Sequence, residues 1–331
     1  MNYNFLPSPT RANTLDLTMR AGLADSLKYI QAKLNTEVPE GISSLDCLID
    51  QLAQGQKYSA LTFALYTHLV FALSGNSDEN YTDIIELLSQ QKPINAQTPE
   101  VVTLDNDTFN KQGFRLAGIM NLEEETEFLI QSPSEQVITE FEKNLKIAFD
   151  VMDKTIPDLS SEIRNLISQI ILVEPISGSK FEFAGGSSYM MWGGLFLHAN
   201  YAKTVSELIE VLAHESAHML LFGYASKGRL TLNDEHSRYS SALRTDPRPM
   251  EGIFHATFVT ARMFWSMQMI AECEYLDAEN RNYAKEALER NINDFVSGYQ
   301  MIEKEGELSE IGTVVMKNCF EFMEPHIHIK Y

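Results

Sequence analysis

Residues 211 to 220 read VLAHESAHML, which sets His214, Glu215 and His218 in the order His-Glu-x-x-His. On an α-helix, positions four apart project from one face, so two imidazoles stand one above the other and can share a metal ion, with the carboxylate between them close by. Imidazole suits zinc, iron and several other divalent transition metals, and the remaining ligands decide the chemistry. Catalytic metals commonly take three protein ligands and keep positions open for water or substrate. This chain must therefore supply a third ligand from outside the motif.

The candidates for that third ligand differ in setting. His255 in RPMEGIFHATFVTARMFW falls in the first turns of a strongly apolar helical pattern, and Glu251 sits one turn earlier on the same face. Spacing alone leaves both open. His236 lies in the polar stretch LTLNDEHSRYS, which predicts a solvated loop, and His198 adjoins a candidate strand, where it could orient a ligand. His326 and His328 alternate as a strand pair would and predict surface positions. The segment YSSALRTDPRPMEGIFHATFV narrows the chemistry. Short-spacer zinc proteases bring their third ligand soon after the second His, as in HExxHxxGxxH, whereas HESAHMLLFGYAS has no such His. The gluzincin pattern is no better matched. Here 255 − 218 = 37 positions separate the second His from His255, and Arg244, Asp246 and Arg248 lie between them. A guanidinium is a planar, bidentate partner for a carboxylate, so this setting suits an anionic co-substrate.

HESAH, RTDPRPMEGIFHATF and the preceding GGLFLHAN together resemble the HExxH-motif peptide-modification proteins of ribosomally made peptide natural product pathways, which are iron(II)- and 2-oxoglutarate-dependent peptide β-hydroxylases. The resemblance covers roughly the C-terminal two-thirds of the chain. It implies a zincin-like helix and sheet rather than a jelly roll. It also implies that His214, His218 and His255 ligate iron, that Arg248 or Arg244 binds the 2-oxoglutarate carboxylate, and that a precursor peptide is hydroxylated with dioxygen as co-substrate. Three His ligands depart from the usual pattern of two His and one carboxylate, which keeps Glu251 in play. In an oxygenase Glu215 orients a ligand or water; in a zinc peptidase of gluzincin type, the alternative enzyme, it is the base that deprotonates metal-bound water. A peptide-binding accessory protein with a degenerate site is the non-enzymatic alternative.

Positioning these residues requires a helix and a platform before it. Thr204 followed by Glu207 predicts a capping-box start, and VSELIEVLAHESAHMLL continues with helical periodicity. Upstream, ISQIILVEPI, KFEFA and LFLHAN predict short strands, and the edge of LFLHAN is a candidate for pairing with an extended peptide. The glycine-rich GGSSYMMWGG lacks the Lys-Ser/Thr of a phosphate-binding loop. The N-terminal third reads as helices, and residues 92–114 lose that periodicity. In SPSEQVITEFEKNLKIAFDVM, Ser132 is the expected N-cap and Pro133 the first helical residue of a long amphipathic helix. LEEETE at 122–127 predicts a solvated helix start, Trp192 and Trp265 predict core packing, and two C-terminal helices supply scaffold. The expected whole is an α+β, mostly helical fold with a small β-sheet and an N-terminal helical layer. Residues 1–130 form a helical region and 131–331 the metal-binding catalytic region.

Composition bounds the partners. With 331 residues and 44% hydrophobic content the chain can bury a large core, and a net charge of −20 would repel a phosphate backbone. Nucleic acid is excluded on that ground, while a basic peptide is not. No apolar run reaches the roughly 18 residues of a membrane span. The opening residues lack the basic start and apolar stretch of a secretory signal. Cys47, Cys273 and Cys319 are far apart with no CxxC pair, which predicts a reducing, cytoplasmic setting.

Overall fold

The computed structural model describes residues 3–37, 44–95, 97–122, 129–176, 184–240 and 247–327. In chain order α1 spans Pro9–Glu37, α2 Asp46–Ala53, α3 Ala60–Leu73, α4 Tyr81–Ser89, β1 Glu100–Val102, α5 Phe114–Leu122, β2 Ile130–Gln131, α6 Glu135–Thr155 and α7 Pro157–Leu166. There follow β3 Gln169–Pro175, β4 Gly185–Ser187, β5 Gly194–His198, α8 Val205–Ala225, α9 Met250–Ala271, α10 Ala278–Glu305 and α11 Glu310–Ile327. The protein is thus mostly helical with a small mixed sheet, an α+β arrangement. No described helix is long and apolar enough to cross a membrane. The chain forms two compact units, one of Met1–Ala12, Glu140–Ile163 and Ala202–Tyr331, the other of Asn13–Thr139 and Arg164–Tyr201.

The second of these holds the sheet, in the order β1-β3-β5-β4, with β2 pairing the far end of β3. β1, β3 and β5 are parallel, with Ile170 opposite Leu195 and Leu172 opposite Leu197. A parallel sheet buried on both faces needs continuous apolar runs rather than alternation, which explains QIILV and LFL; Ile170 to Val173 and Leu195 to Leu197 are all buried. The two glycines before β5 have separate reasons. Gly193 turns the chain at φ +84°, and Gly194 lies where a Cβ would come 2.5 Å from that of Ala60 on α3. Gly194→Ala should therefore lower stability by about 1–3 kcal/mol through overpacking. A urea titration should show a lower midpoint at unchanged slope; an unchanged midpoint would mean that α3 yields freely.

Several expectations change here. LFLHAN is not an edge, because β5 is paired with β3 on one side and antiparallel β4 on the other, so it has no free main-chain row for a peptide. GGS of the glycine-rich stretch forms β4, and Glu100–Val102 forms β1 inside the segment read as irregular. α6 begins at Glu135, with the Ser134 carbonyl accepting from Ile138, so Ser132 is not its cap; the Ser132 hydroxyl instead donates to Asp105 Oδ1 at 2.6 Å. Trp192 is core, with its indole N–H donating to Asp16 Oδ1 at 3.0 Å, and Trp265 is half-buried. His326 sits on α11 rather than a strand and packs against Phe264, with ring centres 4.8 Å apart. Residues 180–183 of KFEFA, the acidic run 123–127 and His328 lie outside the described residues.

The first unit carries α8 to α11. α8 starts as the sequence predicts: Thr204 Oγ1 accepts from the Glu207 amide at 3.1 Å. The Glu207 carboxylate reaches back to the amide of Lys203 at 2.6 Å, one residue before the cap, where a capping box would use the cap itself. Buried Glu210 clamps α8 to α10, accepting from Tyr283 at 2.6 Å, Arg290 at 2.7 Å and Asn291 at 2.9 Å. α9 is fixed by Arg262, whose guanidinium donates to the Phe5 carbonyl at 2.8 Å and to fully buried Glu162 on α7. Glu162 also accepts from Arg11 at 2.9 Å. Buried ion networks of this kind specify geometry more than they add stability. Arg262 lies seven residues beyond His255, close to two full turns, so holding it also sets the rotation of α9 at His255.

Candidate metal centre

His214 and His218 stand on successive turns of α8, with their Nε2 atoms 3.1 Å apart. Two imidazoles bound at 2.0–2.1 Å at adjacent positions of one tetrahedral or octahedral ion would hold their nitrogens about 2.8–3.4 Å apart. The pair therefore has the spacing of two ligands to one metal. His255 on α9 joins them, its Nδ1 3.2 Å from Nδ1 of His218 and its ring 5.4 Å away and near-parallel at 25°. It meets the opposite nitrogen of His218, so the three rings do not share one point as they stand. Among the described residues no group of three or more His, Cys, Asp or Glu side chains is set to hold a metal ion.

The donor set nevertheless fits a divalent transition metal. His255 is buried at 7% exposure, and burial pushes its pKa down to about 4, so it is uncharged in neutral solution. Its Nε2 is buried with no hydrogen-bond partner among the described residues. An uncompensated polar atom in the interior costs about 1–3 kcal/mol, a cost that a bound ion or a rotation of the ring relieves. Glu251, the rival, is exposed in the first turn of α9. Glu215 is buried, and its Oε1 lies 3.9 Å from His214 Nε2. The His214 side chain is 35% exposed, so solvent reaches the cluster beside it.

Two apolar side chains complete the cluster. Phe222, one turn beyond His218, has its ring 5.4 Å from that of His255 and 6.5 Å from that of His218. Met263 of α9 brings its sulfur within 3.1 Å of His214 Nδ1. Sequence reasoning missed Met263, since an apolar residue at helical spacing on α9 is indistinguishable from core until the partner helix is placed.

Arg248 is half-buried and held by its backbone: its amide donates to the Tyr239 carbonyl at 3.0 Å and its carbonyl accepts from the Tyr239 amide at 2.8 Å. Asn233 donates to the Tyr239 hydroxyl at 3.0 Å and to the Glu305 carbonyl at 2.8 Å, which ties the bridge to the end of α10. A side chain on Gly252 would begin 3.6 Å from Arg248 Cβ. Residues three apart on a helix have Cβ atoms about 6 Å apart, so Arg248 Cβ is no more than about 10 Å from that of His255. A guanidinium on a flexible stem can span most of that distance. Arg244 and Asp246 lie outside the described residues. His236 is an exposed loop residue and His198 ends β5. No model of a known protein family matches the chain, and no curated protein does.

Proposed function

We propose that this chain is an iron(II)- and 2-oxoglutarate-dependent hydroxylase that places a hydroxyl on the β-carbon of a residue in a ribosomally made precursor peptide. The observation that carries the reading is the approach of three imidazoles from two helices around His218, two of them spaced as ligands at 3.1 Å and the third buried and uncharged. The preference for iron over zinc rests on the resemblance of HESAH and RTDPRPMEGIFHATF to the HExxH-motif peptide-modification proteins. Iron(II) with 2-oxoglutarate and dioxygen supplies the oxidising power to turn C–H into C–OH, with succinate and carbon dioxide as the other products.

Within this reading His214, His218 and His255 hold the metal, and the neutrality of His255 removes competition from a proton. Arg248 grips the distal carboxylate of 2-oxoglutarate, with Arg244 as the lesser candidate. Glu215, buried beside His214, orients that ring or a water. Phe222 gives the cluster an apolar wall that excludes water from one side. The zincin-like character of α8 and a cytoplasmic location belong to the same proposal. The location rests on three free thiols, at Cys47, Cys273 and Cys319.

A zinc peptidase is the second reading, favoured by the Glu215 carboxylate lying 3.9 Å from His214 Nε2, where a base for metal-bound water would sit. Glu215→Gln separates the two. In a peptidase the substitution removes nearly all turnover, because the carboxylate must take a proton. In a hydroxylase the keto acid is the reductant, so succinate formation should fall only severalfold. Wild-type cleavage of a peptide backbone that disappears in Glu215→Gln would overturn the hydroxylase.

A further inference from the structure

We infer that Tyr239 is the second donor to the carboxylate that Arg248 holds, so that the far end of the 2-oxoglutarate site is a phenol and a guanidinium side by side. The two residues exchange both main-chain hydrogen bonds: the Tyr239 amide donates to the Arg248 carbonyl at 2.8 Å, and the Arg248 amide to the Tyr239 carbonyl at 3.0 Å. They are therefore directly opposed in an antiparallel pair. Side chains so placed leave the backbone on the same face, with Cβ atoms about 4.5–5.5 Å apart. Each carries its polar group at the end of a long stem, and both residues are half-buried. A carboxylate has about four lone-pair directions, enough for a bidentate guanidinium and a phenol together.

Buried Asn233 decides what the Tyr239 hydroxyl can do. Its side chain meets the Glu307 amide at 2.8 Å, and because a main-chain N–H only donates, the atom facing it is the oxygen, Oδ1. Nδ2 then gives one hydrogen to the Glu305 carbonyl at 2.8 Å and the other to the Tyr239 oxygen at 3.0 Å. The phenol oxygen is thus an acceptor from Asn233, and its own hydrogen must be donated elsewhere. Among the described residues no side chain or carbonyl accepts it. A carboxylate seated on Arg248 supplies that acceptor, in a charge-assisted bond. The inference rests on the reading of Arg248 as the 2-oxoglutarate residue and adds a donor whose orientation is fixed before the ligand arrives.

Tyr239→Phe removes the hydroxyl and keeps the ring and both main-chain bonds, so the fold should survive it. In metal-free protein carrying 13C at the tyrosine Cζ, the resonance that this substitution deletes belongs to Tyr239. Glutarate, which has the distal carboxylate without the keto group, should shift that resonance in the wild type and leave it in place in Arg248→Gln. In iron-loaded protein without oxygen, Tyr239→Phe should raise the 2-oxoglutarate concentration that gives half the visible absorption of the chelate by about tenfold. With 2-oxopentanoate, which has a methyl where 2-oxoglutarate has its distal carboxylate, wild type and Tyr239→Phe should titrate alike. An equal loss for both keto acids would reduce Tyr239 to a structural role and overturn the inference, as would a resonance that glutarate leaves unmoved. If glutarate shifts the resonance but the iron-loaded wild type forms no chelate with either keto acid, the anion site stands and the hydroxylase reading falls.

Discussion

His255→Ala is expected to abolish retention of iron(II) and all succinate formation, while Glu251→Gln keeps most of both. The contrast follows from burial. His255 is enclosed, uncharged and 3.2 Å from His218, whereas Glu251 faces solvent. Two imidazoles from one helix are a weak site by themselves, because catalytic ions normally keep three protein ligands. The size of the loss also identifies the role. If His255 only orients His218 through the observed contact, affinity should fall about 10–100-fold, as when a partner of a ligand is removed. If it is a ligand, the ion should be lost on desalting. Metal content after gel filtration, with iron(II) titration of the stripped protein and a thermal melt to confirm folding, gives the answer. Metal retained in His255→Ala and lost in Glu251→Gln would make Glu251 the ligand.

The sequence was most informative where one local rule sufficed. Thr204 and Glu207 start α8 because capping depends on residues three apart, and the i, i+4 geometry of His214 and His218 follows from the helix alone. The approach of His255 was legible only as a candidate, since spacing along the chain cannot say how α9 is rotated; Arg262 and its buried partner Glu162 settle that through contacts distant in sequence. The strands failed in a different way. Three residues such as Glu100–Val102 or Gly185–Ser187 have too little pattern to register, and they exist because β3 and β5 offer edges to pair with. For the same reason LFLHAN could be recognised as a strand but not as an interior one. Ser132 shows that a good capping residue can be drawn to a competing partner, here Asp105. Met263 looked like any core residue until α8 and α9 were placed side by side.

Arg248→Lys is expected to raise the 2-oxoglutarate concentration needed for half-saturation by roughly thirtyfold or more, with peptide affinity near normal. Arg248 is placed by its backbone rather than by chance rotamers. Pro247 and Pro249 restrict the chain on both sides of it, and the paired bonds to Tyr239 hold the residue between them. Its Cβ rests against the first turn of α9 at Gly252, three residues before His255, so the distance from guanidinium to metal ligand is limited by that helix. A bidentate, charge-assisted contact that is lost from a partly buried anion costs about 2–4 kcal/mol. Lysine keeps the charge but offers a single point where the carboxylate needs a fork, which is why the conservative change is informative. Adding 2-oxoglutarate to iron-loaded protein without oxygen, and following the visible absorption of the chelate, measures affinity without turnover. Arg244→Lys, made in parallel, should shift the titration little. If it shifts the curve while Arg248→Lys does not, the carboxylate belongs to Arg244. If the wild type shows no chelate absorption at any 2-oxoglutarate concentration, the hydroxylase reading falls, and zinc with Glu215 as base becomes the better account of the same three histidines.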